Sequence, residues 1–159
     1  VGKTTENESA IERKGPMPPA YLFAAIAVMV ALHFLLPGMK LLPFPWNLLG
    51  VGFLGIGVAL NLVADKAFKK RQTTVKPFEE PSTLITDGVY NITRNPMYLG
   101  FVLVLLGIGV CMGSLVPFAV VPVFAVLIDV VFVRVEERML ENTFGGEWAD
   151  YRNRVRRWI

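Results

Sequence analysis

An all-α bundle of about four membrane-spanning helices, with a cytoplasmic loop and a C-terminal amphipathic helix, is the architecture this sequence predicts. Three observations carry it. The 159 residues are 53% hydrophobic with a mean hydropathy of +0.50, too apolar for a soluble domain with a polar surface to cover. No charged residue falls between Lys14 and Lys40, between Lys40 and Asp65, or between Arg94 and Asp129. A spanning helix needs about 20 predominantly apolar residues. Finally, of the 16 lysines and arginines, Lys40 alone lies on one side of the predicted spans.

Residues 1–15 are polar, mixed in charge and lack periodic apolar positions, which reads as a flexible cytoplasmic tail. Residues 16–159 then form a single domain. Spans are expected near 18–36, 45–64, 96–112 and 115–133, with a proline early in each, where a missing N–H costs little. The first segment is long for a signal h-region and has no Ala-x-Ala-like site before Lys40, so it should stay as an anchor. Gly113-Ser114, followed by Pro117, is the break in the last apolar gap and predicts a tight antiparallel hairpin, with Pro122 a candidate kink.

By the positive-inside rule, both termini and the long central loop face the cytoplasm. The basic group Lys66, Lys69, Lys70 and Arg71 suits anionic headgroups. Since topology already accounts for the net charge of +3, no nucleic-acid partner is expected; the expected partners are membrane lipids. One cysteine, Cys111, and one histidine, His33, assemble neither a disulfide nor a Cys/His metal cluster, and no metal is expected. Both read as packing residues of their spans.

About thirty residues join the second and third spans. They begin helically over 65–71, are punctuated at Pro77 and Pro81, and carry Leu84, Ile85, Val89, Tyr90 and Ile92 as apolar anchors. With the Asp87-Gly88 turn, this loop should fold back on the bundle. Arg94 lies two residues before Pro96, beside the unpaired N–H groups of a helix start. It reads either as an anion site or as a snorkelling arginine that ends a span.

As the fourth span leaves the membrane, Asp129, Arg134, Glu136, Glu137, Arg138 and Glu141 concentrate charge. Glu137 and Glu141 share a face, as do Arg134 and Arg138. A solvated ion-pair network and a functional cluster both fit that spacing. Phe144, Trp148, Tyr151, Arg152, Arg154, Arg156, Arg157 and Trp158 then alternate aromatic with basic character, as in an interfacial amphipathic helix. The same segment could roof a pocket, with arginines meeting a carboxylate or phosphate and aromatics stacking on a heterocycle.

In order along the chain, Gly88-x-Tyr90-x-x-x-Arg94-Asn95-Pro96-x-Tyr98-x-Gly100, Glu136-Glu137, Phe144-Gly145, Tyr151 and Val155-Arg156-Arg157-Trp158 resemble the isoprenylcysteine carboxyl methyltransferase family. Its small prokaryotic relatives and the related phospholipid methyltransferases share the pattern. The resemblance covers residues 73–159. It implies an integral-membrane enzyme, multi-pass in a prokaryotic inner membrane, that takes S-adenosylmethionine from the cytoplasm and methylates a lipophilic small molecule or lipid. Residues 134–159 would then be cytoplasmic cofactor-site helices. Carried over residue by residue, the cofactor pocket comprises Arg94, Asn95, Pro96, Tyr98, Gly100, Glu136, Tyr151 and Arg156. Glu137 is expected to orient or deprotonate the acceptor and Arg134 to position it. Asn95 stands where the family usually has histidine, so the side chain there hydrogen-bonds but does not titrate.

Methyl transfer from a sulfonium is an in-line displacement that needs alignment and exclusion of water. Two other readings compete: an NADPH-dependent reductase of the sterol-reductase type, which has a similar Arg-His-Pro-x-Tyr-x-Gly region, and a non-catalytic lipid-binding protein. The sequence leaves open the acceptor and the oligomeric state.

Overall fold

The computed structural model describes residues 16–36, 38–71 and 82–159. The expected tail at 1–15 and the loop prolines Pro77 and Pro81 lie outside the described residues. Among the described residues the chain is helical, without a strand. It runs α1 (Pro18–Leu35), a short 3-10 turn (Trp46–Leu48), α2 (Leu49–Arg71), a second 3-10 turn (Gly88–Asn91), α3 (Pro96–Met112), α4 (Leu115–Phe118), α5 (Val120–Ile128), a π turn (Asp129–Val133), α6 (Arg134–Phe144) and α7 (Gly146–Arg154).

Three stretches are long and apolar enough to cross a membrane: Pro18–Leu35, Trp46–Arg71 and Leu115–Phe144. This is one fewer than the four expected. α3 is apolar but has 17 residues, about 25 Å at 1.5 Å per residue, against a hydrocarbon core of about 30 Å. The helix beginning in the second predicted span also continues through Ala64 to Arg71, because its last two turns bury Ala64 under the loop.

The prolines act as expected in α1 and α3, where Pro18 and Pro96 sit at the start and give up no intrahelical bond. α3 stops at Gly113, whose left-handed backbone (φ 66°) lets its N–H reach the carbonyls of Gly109 and Val110. The turn beyond it is tied to the α1–α2 connection: Leu41 N–H donates to Gly113 O, and Leu115 N–H donates to Met39 O. The interruption near Pro122 falls at Ala119, between α4 and α5. Pro122 has no N–H to donate to Phe118, and its ring crowds that carbonyl.

α2 and α3 make the most extensive contact of the bundle, and glycine is the reason. A Cβ on Gly57 would lie 2.7 Å from Gly100 O, and one on Gly107 would lie 2.7 Å from Gly50 O. Seven-residue spacing on both helices puts the small residues on one antiparallel seam. α1 closes the other side of α3 through Leu22 and Met29. These join Tyr98, Phe101, Leu105, Phe124, Ile128 and Phe132 in one buried cluster, with Tyr21 edge-on to Phe132 at 5.3 Å.

A second cluster lies at the end of the bundle where α2 stops, built from Ala64, Ile85, Tyr90, Trp148, Tyr151 and Val155. The loop does fold back: Phe68 meets Tyr90 edge-on at 5.8 Å, and Tyr151 Oη donates to Tyr90 O at 2.7 Å. Between the two clusters the charged residues meet.

Candidate active site

Two segments make this junction. One is the entry to α3, residues 93–98, and the other is the π turn with the start of α6, residues 129–137. An α-helix would turn Asp129 and Arg134, five apart, about 140° from each other. The π turn between them widens the helix, and Arg134 Nε donates to Asp129 Oδ2 at 2.8 Å.

Glu136 and Glu137 are adjacent and diverge. Tyr98 Oη donates to Glu136 Oε1 at 2.6 Å, whereas Glu137 is gripped by two guanidinium groups. Arg94 Nη2 lies 3.1 Å from Glu137 Oε1, and Arg157 closes a fork on the same carboxylate, with Nε 3.2 Å from Oε1 and Nη2 2.6 Å from Oε2. Arg157 Nη1 also reaches Asp129 Oδ1 at 3.3 Å. Forked arginine–carboxylate pairs are among the stronger polar contacts in proteins. Hydrogen bonding to Glu137 holds the Arg157 guanidinium above its usual pKa; burial pulls that of Arg94 down, opposed by Glu137.

Arg94 is the most unusual member. Its side chain is 8% exposed and packs over the Trp148 ring, 5.4 Å from the centroid, yet Nε and Nη1 are buried without a hydrogen-bond partner. Trp148 Nε1 is buried and unpaired as well. All the unpaired buried side-chain atoms at this end, among the described residues, are therefore donors. An unmet buried donor costs about 1–3 kcal/mol. Such a set fits an anionic oxygen ligand, as the carboxylate of an amino-acid-like cofactor would provide. Glu136, with Oε2 unpaired among the described residues, fits its ammonium.

The remaining candidates fall into place unequally. Asn95 is buried and structural in its contacts: Nδ2 donates to Arg157 O at 3.1 Å, and its N–H donates to Thr93 Oγ1 at 3.2 Å. Thr93 Oγ1 itself donates to Arg157 O at 3.1 Å, and Arg94 N–H donates to Arg156 O at 3.1 Å. The C-terminal strip is thus laced across the entry to α3. Pro96 is fully buried. Gly100 belongs to the α2 seam, where a Cβ would press on the Asn61 side chain and lie 2.8 Å from Gly57 O. Tyr151 is a core residue whose hydroxyl serves the loop, and burial holds its pKa above the usual value. Arg134 is 56% exposed and paired with Asp129, away from Glu137.

Arg156 is exposed, and Arg157 takes the inward position. α7 ends at Arg154 and Val155 is extended (φ −120°, ψ 131°), so side chains alternate: Val155 buried, Arg156 out, Arg157 in. The amphipathic helix expected through Trp158 therefore stops short of it. Trp148 was read as an interfacial anchor or pocket roof; it is buried beneath Arg94, 1% exposed. Asp129, Thr93, Trp148 and Arg157 join the cluster although none is among the pocket residues carried over from the resemblance. The alternation of Val155 with Arg156 and Arg157 was a visible signal for the last.

The profile of the phospholipid methyltransferase family matches residues 46–147, more than half of the chain and all of α2, α3 and α6. The chain belongs to the phospholipid methyltransferase family. Two curated relatives match over shorter stretches. A cobalt-zinc-cadmium resistance protein, CzcN, of Cupriavidus metallidurans is 36% identical over 74 residues, which are 46% of this chain and 34% of that protein. An uncharacterized protein of Haemophilus influenzae is 35% identical over 63 residues, 40% of this chain and the whole of that protein. The chain thus spans about a third of the Cupriavidus protein's length. No solved structure matches. The three membrane-length helices fit a membrane protein, as the family is.

Proposed function

We propose that this protein transfers a methyl group from S-adenosylmethionine to a lipophilic acceptor at the cytoplasmic face of a prokaryotic inner membrane. The observation that carries the reading is the set of unpaired buried donors, Arg94 Nε, Arg94 Nη1 and Trp148 Nε1, in a chain of the phospholipid methyltransferase family. When bound, the cofactor supplies an electrophilic methyl on a sulfonium. Arg94 and Trp148 would bind its carboxylate, and Glu136, oriented by Tyr98, its ammonium.

Glu137 takes a different role from the one its sequence position suggests. With both oxygens held by guanidinium groups, its task is to hold Arg94 and Arg157. Asn95 and Thr93 fix the C-terminal strip through Arg157 O and exclude water from that side. α3 is the fourth span in this reading, its short length met by the charged end that carries Arg94 and by local thinning of the bilayer. Both termini then lie on the basic, cytoplasmic side.

Thermal unfolding of the detergent-solubilised protein tests the cofactor: stabilisation by S-adenosylhomocysteine and none by NADPH is expected. Stabilisation by NADPH alone sinks the proposal in favour of reduction. The acceptor is identified by incubating the protein with methyl-labelled cofactor and a total membrane lipid extract, with a labelled lipid expected. Cofactor binding without any labelled product would point to a binding protein.

A further inference from the structure

Away from the Arg94–Glu137 cluster, a cleft of about 200 Å³ opens between the last two turns of α2 and the turn at Asp87–Val89. Its lining runs Val63, Lys66, Ala67 and Lys70 along one face of α2, with Arg71 and Asp87 at the rim. None of these residues belongs to the proposed methyl-transfer site.

The cations at this end of α2 divide sharply. Lys69 is paired with Asp65 at 2.6 Å, and Arg71 with Asp87 at 2.7 Å. Lys66 and Lys70 make no hydrogen bond or close ion pair among the described residues, although Lys70 is near enough to Asp87 to help Arg71 hold that carboxyl below its usual pKa, and these two lysines line the cleft. Spaced i,i+4, they repel each other on the helix face. An anion between them removes that repulsion. The volume is below the roughly 300–1,000 Å³ of a pocket that swallows a whole small ligand, so the cleft suits a headgroup. One turn back, Leu62 and Val63 are exposed and apolar, 57% and 47% accessible, at the end of a stretch long enough to cross a membrane. Apolar surface thus leads directly into two lysines, neither closed into an ion pair, against a single rim carboxylate already held by Arg71, the order of parts in an anionic glycerophospholipid.

We infer that the cleft between α2 and the Asp87–Val89 turn binds the phosphate headgroup of an anionic phospholipid through Lys66 and Lys70, with the acyl chain against Leu62 and Val63. Arg71, held by Asp87, fixes the rim. The site anchors the protein to anionic lipid and is independent of cofactor binding.

The test is native mass spectrometry and thermal unfolding of the detergent-solubilised full chain with phosphatidylglycerol, phosphatidylcholine or inorganic phosphate. Phosphatidylglycerol should bind and stabilise; phosphatidylcholine and phosphate should not. In the double variant K66Q/K70Q the phosphatidylglycerol affinity should fall about 30-fold, at roughly a kcal/mol per cation. The charge-matched variant K69Q/R154Q, outside the cleft, should keep it. Both variants are compared for lipid-free melting so that misfolding is recognised. Equal binding of the two lipids, equal loss in the two double variants, or matching stabilisation by inorganic phosphate would overturn the inference.

Discussion

The α2–α3 seam and the cluster around Arg94 both pin α3 in place, by opposite means. In the seam, Gly50, Gly57, Gly100 and Gly107 let two backbones approach until there is no room for a methyl group. In the cluster, Arg94, Glu137, Arg157 and Asp129 hold segments by charge, and donors on Arg94 and Trp148 are left over. Packing accounts fully for the seam; the unmet buried donors of the cluster call for an explanation, which the proposed cofactor carboxylate supplies.

Breaking the cluster should cost most. Glu137→Leu strips the partner from Arg94 and from the Arg157 fork, and about 3–5 kcal/mol of stability should be lost, since a buried guanidinium is left uncompensated. Denaturant or thermal unfolding in detergent reads this directly. Glu137→Gln should show part of the same loss, because the carboxylate's charge holds the fold as well as the site.

The seam comes next. Gly107→Val puts a branched side chain where a Cβ alone would sit 2.7 Å from Gly50 O and 2.8 Å from Leu54, and should cost about 1–3 kcal/mol through forced separation of α2 and α3. Because no charge is involved, this loss should not change with salt. A salt-dependent loss would mean that the seam is coupled to the cluster.

Smaller effects separate lacing from pairing. Thr93→Ala removes the hydrogen bond to Arg157 O and the acceptor of Asn95 N–H, and should cost about 1–2 kcal/mol. Arg134→Ala, at a 56% exposed side chain, should cost no more than about 1 kcal/mol in the same unfolding assay. If Arg134→Ala proved worse than Thr93→Ala, Asp129 would depend on Arg134 more than on Arg157.

How much of this was legible in the sequence follows from which forces are local. Uncharged runs and early prolines placed α1 and α3 to within a residue, since helix starts and apolar length are written in adjacent positions. Tyr98 and Glu136 were both named as pocket residues, though their pairing emerged only in the fold. At 3.6 residues per turn Asp129 and Arg134 lie on different faces, and it is the π turn, which no local residue pattern announces, that brings them together. The resemblance puts Arg156 in the pocket, whereas the extended backbone at Val155 turns Arg156 outward and Arg157 inward, a local geometry that the motif does not carry. The glycine seam needs both partners to be seen at once, because neither helix alone says what its small residues approach. Trp148 looked interfacial until Arg94 and Tyr151 were found against it.

If, as proposed, the unmet donors of Arg94 receive the cofactor's carboxylate, calorimetric titration of S-adenosylhomocysteine will separate wild type from Arg94→Met. Wild type should bind, and the variant should bind about 10- to 150-fold more weakly, matching the loss of roughly 1.5–3 kcal/mol of charge-assisted hydrogen bonding. The variant should still melt cooperatively, with Glu137 retained by Arg157. Undiminished binding by a folded Arg94→Met protein would contradict it.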